Sequence, residues 1–293
     1  MSKKTISWII LILLSVSWGS SFILMKEGLK AFSCDEVAGL RIMMASLFLL
    51  PFLIWHHKID LRKNIKGLLL AGLFGNLIPA FLFTKAETVI SSSMTGMLNS
   101  LTPVFTILIG FLFFKQTVLK NQIIGIVIGF CGAVALIYFG DGFNSFSNIG
   151  YSLIVLLATI SYAISINSIN SYLKNINAVT ATIWSFMLIG PMATVYLFGF
   201  TDFVKHSQQN IGAGPSLFYI SILAILGSAL SVVAFNQLIK LSGTIFASSC
   251  TYLIPIVAIA WGFIYGEKIN ILQIMMVGVI IMGIWIAKNH KWG

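Results

Sequence analysis

The sequence predicts an all-α integral membrane protein of ten transmembrane helices, arranged as two inverted five-helix repeats. Three observations predict it. Hydrophobic residues make up 58% of the 293 positions and charged residues only 9%, with a mean hydropathy of +0.98. A water-soluble domain cannot cover its surface with so little charge. Apolar runs long enough to cross a bilayer recur along the whole chain, and one half of the chain echoes the other.

The runs fall at about 6–25, 37–55, 67–84, 93–114, 121–139, 149–170, 179–199, 217–238, 245–265 and 270–287. Each is close to the roughly 20 residues that span the hydrocarbon core. Backbone groups in lipid must be paired within the segment, so helices are expected and period-2 barrel strands are not. The first run follows Met1-Ser2-Lys3-Lys4 and resembles a signal peptide at its start. It is long enough to span and no small-residue cleavage site precedes Lys26 and Glu27, so it is expected to be the first membrane helix. Loops are short, the longest covering about 200–216, and no soluble domain or linker is expected.

The repeat is read from two stretches, Gly75 to Gln116 and Gly227 to Lys268. A shift of 152 positions without gaps brings Gly75 onto Gly227, Phe83 onto Phe235, Leu101 onto Leu253, Pro103 onto Pro255, Ile107 onto Ile259, and Gly110-Phe111 onto Gly262-Phe263. A shift of 144 relates the first helices of the halves, Trp18 to Tyr162 and Ser21 to Ser165. The halves are expected at 1–144 and 145–293. Five helices per copy turn one copy upside down relative to the other, an arrangement that in transporters places the substrate site at the repeat interface near the midplane.

Charge sets the orientation. With the N-terminus in the cytoplasm, twelve of the eighteen basic residues and one acid, Asp60, lie inside, and six basic residues face seven acids outside. The resulting +11 inside and −1 outside fit the positive-inside bias, so both termini are expected in the cytoplasm of a multi-pass protein of the cell (inner) membrane. The overall charge of +10 is then a membrane feature and no nucleic-acid partner is expected. Three cysteines, Cys34, Cys131 and Cys250, form no metal-binding or disulfide spacing, so no metal is expected.

Trp18-Gly19-Ser20-Ser21-Phe22 followed by Lys26, Leu40-Arg41, Pro103 and Pro255, Gly266-Glu267, and Gly125 with Gly132 together resemble EamA-type members of the drug/metabolite transporter superfamily. The resemblance covers the whole chain. It implies ten helices, a central cavity between the halves, and movement of small metabolites, often amino acids or their derivatives, commonly outward. Members often carry an acid after the fourth helix as well as the ninth. Here Lys115 matches Glu267, which suggests that an acid at the former does no required chemistry in this chain.

The candidate site residues are polar or aromatic groups near mid-depth. Asn76 mates with Ser228 and Asn99 with Thr251. The pseudo-twofold would bring these groups to one place, where they either line a cavity or bond between helices. Serines such as Ser21 commonly bond their own helix backbone. Trp18 and Tyr162 offer aromatic walls. Arg41 is either a snorkelling anchor paired to a surface acid or a contact for a substrate carboxylate. Lys26, Arg41 and Lys85 would form an anion-attracting vestibule if they converge. Pro79, Pro103 and Pro255 are the expected hinges, since proline removes a backbone hydrogen bond. Gly125, Gly129, Gly278 and Gly283 are expected to pack helices closely.

No Asp, Glu or His is expected deep in the membrane, which argues against a carboxylate proton relay and against a hydrolase. No P-loop motif is present, which argues against ATP-driven transport. The expectation is a secondary transporter without cofactor, working as a monomer or homodimer on a small molecule within the lipid bilayer, with a non-transport scaffold or receptor-like module as the alternative.

Overall fold

A computed structural model describes residues 2–56, 58–140, 146–248 and 250–288. Asp141, His57, His290, Lys291 and the expected boundary at 144/145 lie outside the described residues. The described residues are mostly helical, joined by short turns, and contain no strands. Eight helices are long and apolar enough to cross a membrane: α1 (Lys3–Gly28), α2 (Cys34–His56), α3 (Leu61–Glu87), α4 (Ser92–Phe114), α5 (Lys120–Tyr138), α6 (Ile149–Tyr172), α7 (Ala178–Phe200) and α8 (Ala213–Gly243). Two shorter apolar helices follow, α9 (Cys250–Ile264) and α10 (Ile271–Ala287). Each of the ten falls on one of the apolar runs.

Local sequence sets the ends of these helices. Ser33 caps α2 in a reciprocal box with Glu36, satisfying two backbone donors at the first turn. Ser91 caps α4 through Met94 N. The far end of α9 is closed by Gly266 at φ 72, a left-handed turn that glycine adopts without strain.

Two helices are interrupted at matching places. The segment Leu73–Leu77 of α3 and the segment Leu223–Leu230 of α8 are π-helical. Such segments are rare, leave backbone carbonyls poorly paired and cluster at functional sites. In both, a side chain takes up a carbonyl five residues back: Asn76 donates to Ala71 O at 3.4 Å, and Ser228 donates to Leu223 O at 3.4 Å. Pro79 opens the helical stretch after the first of these segments. Pro103 opens the second part of α4 after a break at Ser100 and Leu101. Pro255 differs, since it lies within α9, which continues through it.

Helices α5 and α10 pack along each other, with glycine at the closest approach. A β-carbon on Gly125 would strike Gly283 O, and one on Gly283 would lie 2.7 Å from Gly129 N. Gly278 takes no part, since a β-carbon there meets nothing within 4 Å. The other eight helices surround a common space.

Candidate functional site

That space is a cavity of about 890 Å³, its open mouth included, and α1, α2, α3, α4, α6, α7, α8 and α9 all contribute to its wall. Trp18, Ser21, Arg41, Asn76, Asn99, Tyr162 and Thr251 line it. Ser228 does not line it. It sits one shell out, where it accepts a hydrogen bond of 2.7 Å from Arg41 Nε.

The wall is built from contacts that occur in pairs. Trp18 packs on Phe235 with ring centroids 5.1 Å apart, and Tyr162 packs on Phe83 at 5.6 Å. Gly227 lets Ser21 approach so closely that a β-carbon would lie 2.6 Å from its Oγ, and Gly75 does the same for Ser165. In each pair the residues are related by the shifts of 144 and 152.

Arg41 is 7% exposed and turned inward. The snorkelling reading is therefore corrected: the side chain points from α2 into the bundle, while Lys85 is exposed and Lys26 donates to Ile90 O at 3.2 Å. The guanidinium bonds only neutral groups. Besides Ser228 it donates through Nη1 to Met25 Sδ at 3.8 Å, and Tyr162 lines the same cavity. Among the described residues no carboxylate forms an ion pair with it.

Most hydroxyls on the wall have spent their protons on helix carbonyls. Ser21 donates to Ser17 O, Thr102 to Asn99 O, Thr182 to Ala178 O and Ser185 to Leu68 O. They retain only lone pairs toward anything else. Asn236 makes this explicit. Its Nδ2 donates to Thr182 Oγ1 at 2.8 Å, and because the Thr182 proton is already committed the amide cannot be reversed. Asn236 Oδ1 is left buried and without a partner. Away from Arg41, the wall therefore offers these acceptors beside the amide groups of Asn76 and Asn99.

Asn236, Thr182 and Ser185 are wall residues that the sequence reading passed over. The signal for Asn236 was available: an amide inside an apolar run, one residue after Phe235. Three acids at helix ends are buried, which the expectation of none deep in the membrane did not anticipate: Glu27, Glu36 and Glu87 are 7%, 1% and 1% exposed. Position near a helix end does not reveal whether a side chain faces lipid, water or a neighbouring helix. Glu27 is paired to Lys30 at 2.6 Å, and the hydrogen bond from that pair holds Lys30 above the ordinary lysine value. Glu36 meets His206 Nδ1 at 2.9 Å. Glu87 has no partner for either oxygen.

Glu267 is also corrected. Its two oxygens accept from Ser92 N at 2.9 Å and Ser93 N at 3.0 Å, capping the start of α4 with the end of α9. Its counterpart is Gln116, not Lys115. Helix α4 runs one residue further before its left-handed residue, Lys115 at φ 54, than α9 does before Gly266. Gln116 N thus closes on Gly110 O as Glu267 N closes on Gly262 O. The Gln116 amide then donates to Asn167 Oδ1 on α6 at 3.0 Å.

A helical bundle of membrane-spanning segments around a buried cavity defines a multi-span membrane protein of the solute-handling kind. The chain belongs to the EamA-like transporter family, which it matches twice, over residues 5–138 and 148–288. It is 24% identical over 97% of its length to 99% of an uncharacterized transporter of Archaeoglobus fulgidus. It is 27% identical over 97% of its length to 91% of the uncharacterized transporter YdfC of Bacillus subtilis. It is 26% identical over 95% of its length to 89% of the uncharacterized inner membrane transporter YedA of Escherichia coli. A solved crystal structure shares the fold with a TM-score of 0.66 at 13% identity, covering 98% of this chain and 97% of that one.

Proposed function

We propose that the protein is a secondary transporter that carries a small metabolite with a carboxylate, an amino acid or related compound, through the cavity by alternating access. In this reading the chain spans the membrane ten times as two inverted repeats, 1–144 and 145–293, with both termini in the cytoplasm. Export is the direction the family resemblance implies. Arg41 carries the reading. A buried guanidinium that faces a cavity and bonds only neutral groups is a costly arrangement, and an anionic solute supplies what it lacks. The acceptors of the remaining wall suit N–H and O–H groups such as an ammonium. Asn76 and Asn99 contact the solute beside Trp18 and Tyr162, and Ser228 holds Arg41 in place.

The repeat reading is supported by the paired contacts of Trp18 and Tyr162, of Gly227 and Gly75, and by the two π-helical segments. A rocking motion of one half against the other would exchange the members of each pair, with Pro79, Pro103 and Pro255 as hinges. Proteoliposomes loaded with labelled amino acids and other metabolites test the function. Wild type is expected to move at least one carboxylate-bearing solute, and Asn76→Ala and Asn99→Ala to move it more slowly. Absence of any flux, or flux in both variants equal to wild type, would show the reading to be wrong.

A further inference from the structure

Glu87 ends α3 with a side chain that is 1% exposed and with neither carboxyl oxygen bonded. The charged groups around it are all engaged elsewhere. Lys26 on α1 donates to Ile90 O. Arg41 on α2 donates to Ser228 and Met25. Glu267, beyond α9, accepts from Ser92 N and Ser93 N on α4. These three are the charges whose fields reach Glu87, and the titratable group on α6, Tyr162, faces Arg41 instead.

An ionised carboxylate in such a place is away from water and without a hydrogen-bond donor, which costs several kcal/mol. A buried carboxyl group either finds a partner or carries a proton. No described side chain or backbone group partners Glu87. We propose that Glu87 is a proton-binding site, and that its proton is taken up as the anionic end of the solute settles on Arg41.

The link between the two sites is electrostatic. Phe83, one turn before Glu87 on α3, lines the cavity together with Arg41, so the two charged groups stand at the same end of the space. While the cavity is empty, the guanidinium is a positive charge without a counter-ion among the described residues. A carboxylate arriving at Arg41 cancels that charge. One proton from the medium then bonds to a Glu87 oxygen, so the carboxylate charge brought to Arg41 is matched by one proton taken up. Linkage makes the effect mutual, each raising the affinity of the other by the same factor. This coupling rests on the cavity being a solute site, whereas the proton site itself does not.

Infrared difference spectroscopy of the full chain in lipid, recorded through an acid–base titration, tests the site. Wild type should show a protonated-carboxyl C=O band that Glu87→Gln lacks and Glu87→Asp returns at a shifted position. Adding an equimolar mixture of the twenty L-amino acids should strengthen that band. A solute that moves in proteoliposomes should change the medium pH as it moves, and its affinity should change by up to about tenfold per pH unit, both effects vanishing in Glu87→Gln. Identical spectra for wild type and Glu87→Gln overturn the proposal, even where amino-acid flux is seen and the transport reading stands. A Glu87-dependent band in a protein that moves no solute upholds the proton site and sinks the transport reading instead.

Discussion

Arg41 donates through Nε to Ser228 Oγ at 2.7 Å across 187 positions of sequence. The bond ties α2 to the π-helical segment of α8 and fixes where the one guanidinium that the described residues place on the cavity wall presents its remaining donors. Replacing Arg41 with Gln removes the charge and should lower solute flux by about tenfold to a hundredfold, the scale of a lost charge-assisted hydrogen bond. Arg41→Lys should recover little of it, because an ammonium does not reproduce the fork. Ser228→Ala should weaken apparent affinity more than it lowers the maximal rate, since it loosens the guanidinium without removing it. Flux against solute concentration, on protein with unchanged melting temperature, checks all three.

The approach of Ser21 to Gly227 allows a rescue experiment. Gly227→Ala places a β-carbon 2.6 Å from Ser21 Oγ and 3.1 Å from Leu223 Cδ1, the far end of a flexible side chain, with Ser21 Cβ further away at 3.8 Å. The variant should lose about 1–3 kcal/mol of stability through overpacking. Adding Ser21→Ala removes the oxygen and should return most of that loss. A double variant as unstable as the single one would mean that the strain lies elsewhere.

The Glu267 carboxylate closes the start of α4 with two charge-assisted bonds. Glu267→Ala should cost about 1–2 kcal/mol, as the loss of a helix cap does. Glu267→Gln, which keeps one acceptor and the shape, should cost less. Thermal unfolding in a mild detergent gives both values side by side.

Gly125 and Gly278 both stand in glycine-spaced stretches of apolar helices, and only the first is at a close approach. Gly125→Leu should separate α5 from α10 and lower the yield of folded protein sharply. Gly278→Leu should be tolerated. Equal effects would remove the packing argument for this helix pair.

Much of this architecture was legible in the sequence because two physical constraints act on it directly. The hydrocarbon core fixes helix length, so the apolar runs mark the helices within a few residues. The need to pair polar groups in lipid makes each mid-helix amide conspicuous, which is how Asn76 and Asn99 stood out. Rotation about a helix axis is written far less plainly. Depth alone could not tell that Arg41 and Glu87 turn inward while Lys85, two residues from Glu87, turns outward. Helix ends are ambiguous by a residue, and one extra residue in α4 moved the counterpart of Glu267 from Lys115 to Gln116. Asn236 also has a polar mate at the matching position, Thr84, but that hydroxyl bonds its own helix at Ala80 O, so the pair does not put two groups on the wall.

The central claim is that solute passes through the cavity beside Asn76. A variant with Asn76→Cys as its sole cysteine, Cys34, Cys131 and Cys250 having been replaced, tests it most directly. Flux of a transported amino acid into proteoliposomes is measured before and after stoichiometric reaction with a bulky methanethiosulfonate reagent. The account predicts that modification brings flux to background, that prior solute slows the modification, and that a reductant restores transport. Undiminished flux through fully modified protein would contradict it.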